Sequence, residues 1–248
     1  MEMDGANGFL LPGLSPQDHL VVFTGAGISA ESGVSTFRDS GGLWEQYSLE
    51  EVATPEAWER QPDYVLNFYN QRRKQLSKVS PNEAHRALVQ MEELLEVTII
   101  TQNVDDLHER AGSSSVIHLH GELKKVQSSR DPNWVREMPL NEAIEMGMTC
   151  SQGGQLRPHV VWFGEPVPMM EQAQKAVEQA SFLVVVGTSL QVYPAAGLVT
   201  WAPSELPILL IDPQEVAEGE SRAHWAHWPL HAVEGVPRLL EILRKEIG

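Results

Sequence analysis

The residue types best suited to phosphate contact and proton transfer fall in a few short clusters: Gly25-Ala26-Gly27 with Ala30, Gln102-Asn103-Val104-Asp105, His118 and His120, Gly187-Thr188-Ser189, and Asp212. Glycine-x-glycine-x-x-alanine spacing after a strand lets backbone N–H groups approach a pyrophosphate at a helix N-terminus. The match is weak on its own. An imidazole with an ordinary pKa of ~6.5 can take up a proton near neutrality, so His118 and His120 are both candidate bases. Their spacing predicts that they alternate on one strand and face the same way. A lone histidine at a strand end is more often a satisfied structural side chain than a base.

These clusters need a scaffold, and the sequence offers one. Short β-rich apolar runs at Leu20–Thr24, Val97–Thr101, Phe182–Val186 and Ile208–Ile211 are separated by helical-looking stretches, the pattern of a parallel sheet wrapped by helices. Each run leads into one of the clusters. Ligands of open α/β sheets sit outside the carboxyl ends of the strands, so the four clusters point to one shared site, although each alone could be an ordinary turn or cap. A dehydrogenase would need a second strand ending in a ribose-binding acid about 20 residues on, and the chain there reads Arg38-Asp39-Ser40-Gly41-Gly42-Leu43-Trp44, a loop. Hydride transfer is therefore the poorer reading. Ser80-Pro81-Asn82-Glu83 reads as cap, N1 proline and N3 acid of a helix carrying Ala84, Leu88, Met91 and Leu95. Between Lys124 and Arg157 prolines and glycines break the pattern around one short helical candidate near Leu140–Met146, which suggests an inserted module.

Composition narrows the function classes. The 248 residues, 42% hydrophobic, fit one α/β domain with insertions. Eighteen basic against 34 acidic side chains give a net charge of −16, which repels nucleic-acid phosphates, so no direct nucleic-acid partner is expected. A single cysteine, Cys150, excludes an intramolecular disulfide. Met1–Gly13 lacks a basic n-region and no segment approaches the ~20 apolar residues of a membrane span, so neither export nor a membrane partner is indicated and the cytoplasm is the default.

Longer blocks make the chain recognisable. GAGISAESGVSTFRDSGGLW, TQNVDDLHERAG, VIHLHGEL, RPHVVWFGE and VGTSLQVYPAAGL resemble, in order, the signature blocks of the sirtuin family. The resemblance implies a Rossmann-type α/β lobe over 14–48, 79–123 and 158–248, a helical insertion over 49–78 and a small module over 124–157. It implies NAD as co-substrate, with Gly25, Ala26, Gly27, Ala30, Phe37 and Arg38 in the loop over NAD and Gln102, Asn103 and Asp105 on the nicotinamide side. Gly187, Thr188 and Ser189 would hold ribose or phosphate. Asp212 stands where the family often has asparagine at the adenosine ribose, and Ala232 lies in a stretch whose backbone meets adenine. His120 matches the catalytic base, with Asn103 beside it.

The implied reaction is removal of an acyl group from lysine. The acyl oxygen attacks C1′ of the nicotinamide ribose to give an O-alkylimidate, His120 activates a ribose hydroxyl, and free lysine and O-acyl-ADP-ribose result. Val161, Trp162, Phe163, Gly164 and Glu165 resemble the segment that pairs with substrate backbone, while the same apolar residues could equally be core. An NAD glycohydrolase or ADP-ribosyltransferase, or a non-catalytic NAD-sensing module, would use the same pocket.

Two details separate this chain from the family pattern or place it within a branch. The family holds its module with zinc on four cysteines; here Cys150 sits where the last ligand would be and Ser128 where the first would be, so no zinc is expected and Leu140, Ile144 and Met146 are expected to pack the module instead. Ala53, Tyr69 and Arg72 resemble the branch acting on succinyl- and malonyl-lysine, in which alanine leaves room and tyrosine and arginine bind the distal carboxylate. Tyr69 and Arg72 share a helix face, and guanidinium pairs with carboxylate through two charge-assisted hydrogen bonds. The alternative is that Arg72, Arg73 and Lys74 form a solvated helix face. The net charge opposes an acidic substrate, but screening over a Debye length of ~8 Å lets a local cation prevail.

Overall fold

Strands with apolar residues on both faces need cover on both faces. The computed structural model, which describes residues 13–34, 47–216 and 224–248, provides it. β1 (His19–Thr24), β2 (Glu96–Thr101) and β3 (Val116–His118) begin a parallel sheet; β4 (Gly121–Ser128), β5 (Val135–Glu137) and β6 (Leu156–Val160) form a separate antiparallel sheet; β7 (Phe182–Val186), β8 (Ile208–Ile211) and β9 (Trp225–Trp228) return to the first. The order of the large sheet is β3-β2-β1-β7-β8-β9, with every pair parallel. This is the expected Rossmann-like sheet with an inserted smaller unit. The four strands read from sequence hold to within one residue, whereas β9 and the strands of the small sheet were not separately legible.

The helices are α1 (Gly27–Ala30), α2 (Leu49–Val52), α3 (Pro55–Arg60), α4 (Pro62–Leu76), α5 (Glu83–Met91), α6 (Leu107–Ala111), α7 (Met170–Glu178), α8 (Leu198–Trp201) and α9 (Ala232–Ile247). Side chains alternate along β1: Leu20 and Val22 pack with Leu88 and Met91 of α5 and Leu239 of α9, and Val21 and Phe23 pack with Val177 of α7 and Leu198 of α8. The chain winds outward from β1 through β2 to β3 and later resumes on the other side at β7. That reversal opens a crevice at the carboxyl ends of β1 and β7.

Three local readings need correction. The α5 cap is Asn82, not Ser80: its side chain accepts from the N–H groups of Ala84 and His85, and His85 closes the box from N3. Asn82 also donates to the carbonyl of Ile28 at 2.8 Å, a tertiary contact that local spacing cannot reveal. Second, Leu140–Met146 is not a helix. Side chains of α4 take its backbone groups: Asn70 binds both N–H and C=O of Ile144 at 2.8 and 2.9 Å, and the Arg73 guanidinium donates to the carbonyls of Leu123, Met138, Pro139 and Glu142. Arg73 is thus fully buried, not part of a solvated face. Third, Met146 is 45% exposed and is not part of the module's buried cluster; Ile144 is buried with Leu66, Val126, Met138, Cys150 and Leu156, while Leu140 lies against the α4 side of the module. α4 therefore packs on the small sheet and holds its loop in place.

Candidate active site

The cleft at the β1–β7 reversal encloses about 540 Å³, in the range of small-molecule sites. Every strand end named from sequence reaches it: Gly25, Ala26 and Gly27 after β1, Gln102, Asn103 and Asp105 after β2, Gly187, Thr188 and Ser189 after β7, and Asp212 after β8. The same cleft is lined by Ala53, Tyr69 and Arg72 from the helical insertion, by Val161, Trp162, Phe163, Gly164 and Glu165 after β6, and by His120. Ala30 and Ala232 do not line it; Ala30 ends α1, and Ala232 is buried at the first turn of α9. Phe37 and Arg38 lie outside the described residues.

Close backbone approach explains the glycines. Gly27 N–H donates to Gly187 O at 2.8 Å, and a Cβ on Gly27 would lie 2.6 Å from Gly187 Cα. Gly187 itself has φ +60° and touches Ile28 N in the same way. The two glycine turns thus lock β1 to β7, and the Gly27 N–H is spent on that lock instead of facing a phosphate.

The polar floor is tightly bonded. Asn103 donates from Nδ2 to Gly25 O at 3.1 Å and to Ser29 Oγ at 3.3 Å, and Ser29 donates to Asp105 at 3.0 Å. Burial pushes the Asp105 carboxyl above its ordinary pKa, against hydrogen bonds from Leu107 N and Ser29. Gln102 donates to Thr188 Oγ1 at 2.9 Å, tying β2 to β7 across the crevice.

The two histidines have different fates. His118 ends β3, but His120 lies beyond it in the turn to β4, so they do not share a strand face. His118 is buried between Asn103 O at 3.2 Å and Glu109 Oε1 at 2.6 Å, both acceptors, and does not line the cleft. Burial opposes its charge, yet Glu109, Glu122 and the Asn103 carbonyl together outweigh burial and raise its pKa. His120 does line the cleft, with Nδ1 3.0 Å from Gln102 O. A carbonyl only accepts, so Nδ1 carries the hydrogen and Nε2 keeps its lone pair. Burial holds the His120 pKa below its ordinary value.

Sequence reasoning missed Ser29, Val34, Gln75 and the run Gln191–Pro194, all of which reach the cleft. Ser29 was inside a quoted block and could have been named. The Gln191–Pro194 run follows Leu190, a buried non-glycine residue at φ +52°, and local propensity gives no sign of such a bend.

In the small module, Cys150 Sγ lies 3.4 Å from Ser128 Oγ and accepts from Gly154 N at 3.3 Å. A Cβ on Gly154 would come within 2.2 Å of Ser128 Oγ, and Met138, Ile144 and Leu156 close the rest. One thiol and one hydroxyl do not make a tetrahedral four-ligand site, so these residues do not fit structural zinc. Elsewhere among the described residues Glu109, His118 and Glu122 gather within 4.8 Å, and Lys124 and Lys125 pair with Glu122 there.

A family model described as "Sir2 family" matches residues 25–194. The chain belongs to the Sir2 family. Among its Sir2 relatives, the NAD-dependent protein deacylase of Bacteroides thetaiotaomicron is 53% identical over 234 residues, covering 91% of this chain and 97% of the relative. A solved Sir2 homologue in complex with NAD is 40% identical, with a TM-score of 0.84 over 93% of this chain and 91% of the other. A mutant Sir2 homologue bound to 2′-O-acetyl ADP-ribose is 38% identical, with a TM-score of 0.83 and 93% of each chain covered. Among the described residues no helix is long and apolar enough to cross a membrane.

Proposed function

We propose that this Sir2 protein is an NAD-dependent protein lysine deacylase with a preference for acidic acyl groups, succinyl and malonyl, over acetyl. The observation that carries the reading is the meeting in one cleft of His120, with its Nε2 lone pair free of the Gln102 contact, and the Tyr69–Arg72 pair. The acceptor is acyl-lysine in proteins or peptides, and the setting is cytoplasmic. The lobe, helical insertion and module boundaries drawn from sequence are part of the same proposal, as is a module that needs no zinc.

NAD, when bound, supplies the electrophilic ribose carbon and the hydroxyl that accepts the acyl group. Gly25, Ala26, Gly187, Thr188, Ser189 and Asp212, which line the cleft at the strand ends, would hold it, with Phe37 and Arg38 as further proposed contacts. Asn103 and Asp105 face the reacting end, Asn103 held by Gly25 O and Ser29. His120 Nε2 takes the hydroxyl proton, and the Gln102 carbonyl stabilises the resulting imidazolium through Nδ1–H.

The acyl end is set by α4. Tyr69 and Arg72 lie one turn apart, and Ala53 leaves space beside them. Burial pushes the Tyr69 phenol up to about 12, so it stays a donor at any physiological pH, and the guanidinium stays charged although burial lowers its pKa. A neutral acetyl group uses neither donor. With matched peptides and NAD, succinyl-lysine is expected to be cleaved faster than acetyl-lysine, and Arg72→Met to remove most of that advantage while slowing deacetylation much less. Preference of the wild type for acetyl-lysine, or equal slowing of both substrates by Arg72→Met, would overturn the acyl assignment.

A further inference from the structure

Tyr69 is joined to a second set of side chains outside the acyl-reading pair. Trp162, 2% exposed, donates its indole N–H to the Tyr69 oxygen at 3.0 Å. The indole is held from two sides: the Arg157 guanidinium carbon stacks 3.8 Å from its ring centre, and Trp58 packs against it at 5.8 Å. Its backbone is held as well. Gly164, at φ +91°, turns the chain so that Glu165 returns its carboxylate to Trp162 N at 2.8 Å, and Arg157 Nη2 donates to both oxygens of that carboxylate at 2.9 and 3.1 Å.

Two consequences follow from elementary chemistry. Glu165 lines the cleft, and an unpaired carboxylate there would repel an acidic acyl group; the Arg157 pair cancels that charge. A phenol oxygen that already accepts an N–H disfavours turning its own hydrogen toward that donor. Phe68 meets the Tyr69 ring edge-on at 5.0 Å and fixes the ring, leaving the hydroxyl rotor as the remaining freedom.

We propose that Trp162 is a specificity-determining positioning residue: its N–H turns the Tyr69 hydroxyl hydrogen into the cleft, toward the distal carboxylate of the acyl group, and the Arg157–Glu165 pair clamps the indole in place. This rests on the acidic-acyl reading above. Selectivity then depends in part on Arg157, which does not line the cleft and belongs to the small antiparallel sheet.

The test compares KM for succinyl- and acetyl-lysine versions of one peptide at saturating NAD, with the acetyl value as internal reference for any general change in the cleft. Trp162→Phe is expected to raise the succinyl-to-acetyl KM ratio about tenfold, the loss of one charge-assisted hydrogen bond, and Tyr69→Phe to do the same. The double variant is expected to stay near tenfold, because both changes remove one shared donor. A ratio within about twofold of wild type in Trp162→Phe while Tyr69→Phe shifts it, or a double variant near a hundredfold, overturns the role of Trp162 and leaves the acyl reading standing. An unchanged ratio in Tyr69→Phe and Arg72→Met sinks the acyl reading itself. If Trp162→Phe does not fold, replacing the indole by benzothiophene keeps the shape, removes the N–H and carries the same expectations.

Discussion

His120 Nδ1 lies 3.0 Å from the backbone oxygen of Gln102, so a main-chain carbonyl in the floor of the cleft fixes which nitrogen of the imidazole can act as a base. His120→Ala is expected to lower deacylation by 10²–10⁴-fold, the usual worth of a positioned base, with NAD affinity largely kept. His118→Ala removes the link between Glu109 and Asn103 O and is expected to cost mainly stability, with a much smaller fall in turnover. Single-turnover rates and NAD titrations of both variants check this. Equal loss of turnover in the two, with the fold intact, would assign the base wrongly.

The pH profile carries the same assignment. The base works when neutral, and burial holds the His120 pKa below its ordinary value. Log kcat/KM is therefore expected to be flat through neutrality and to fall on the acid side below about pH 6.5. An acid limb centred above pH 7 would contradict the burial argument.

How far the sequence carried can be judged residue by residue. β1, β2, β7 and β8 were legible because buried parallel strands are continuous apolar runs, and the cleft because each run ended in small or polar residues. Helix caps and the module were less legible, since Asn82 and Arg73 act on backbone groups far away in sequence: Asn82 on Ile28, Arg73 on Leu123 and Met138 through Glu142. A run such as Arg72-Arg73-Lys74 hides this division of labour. Arg72 faces the cleft, Arg73 is buried, and Lys74 is exposed. In Val161–Glu165, which resembles the segment that pairs with substrate backbone and could equally be core, the N–H groups of Val161, Trp162, Phe163 and Glu165 bond within the protein, which the sequence pattern does not reveal.

Two buried histidines make stability depend on pH. His85 and His108 have ring centres 4.9 Å apart, and Nε2 of His85 and Nδ1 of His108 find no partner among the described residues. Burial lowers both pKa values, that of His85 to about 4. The unfolded chain takes up a proton as pH falls through about 6.5, whereas the folded chain resists until about pH 4, so stability is present above 6.5 and lost between those values. His85 alone accounts for about 3 kcal/mol of that loss. Urea midpoints at pH 7.5 and 5.0 should show it, and His85→Gln should flatten the dependence; equal slopes in wild type and variant would refute it.

The small module is expected to hold by packing. Ile144→Ala should cost about 2–5 kcal/mol, as for a buried aliphatic, and Met146→Ala within about 0.5 kcal/mol of nothing. Chelator treatment should leave activity unchanged. Stoichiometric zinc in the purified protein, with activity lost on its removal, would contradict a metal-free module.

Mass spectrometry of succinylated and acetylated lysine peptides incubated with this protein and NAD tests the central claim most directly. The account predicts free-lysine peptide, nicotinamide and O-acyl-ADP-ribose in equal amounts, appearing faster from the succinyl peptide. ADP-ribose without deacylated peptide, ADP-ribosylated protein, or no turnover at all would contradict it.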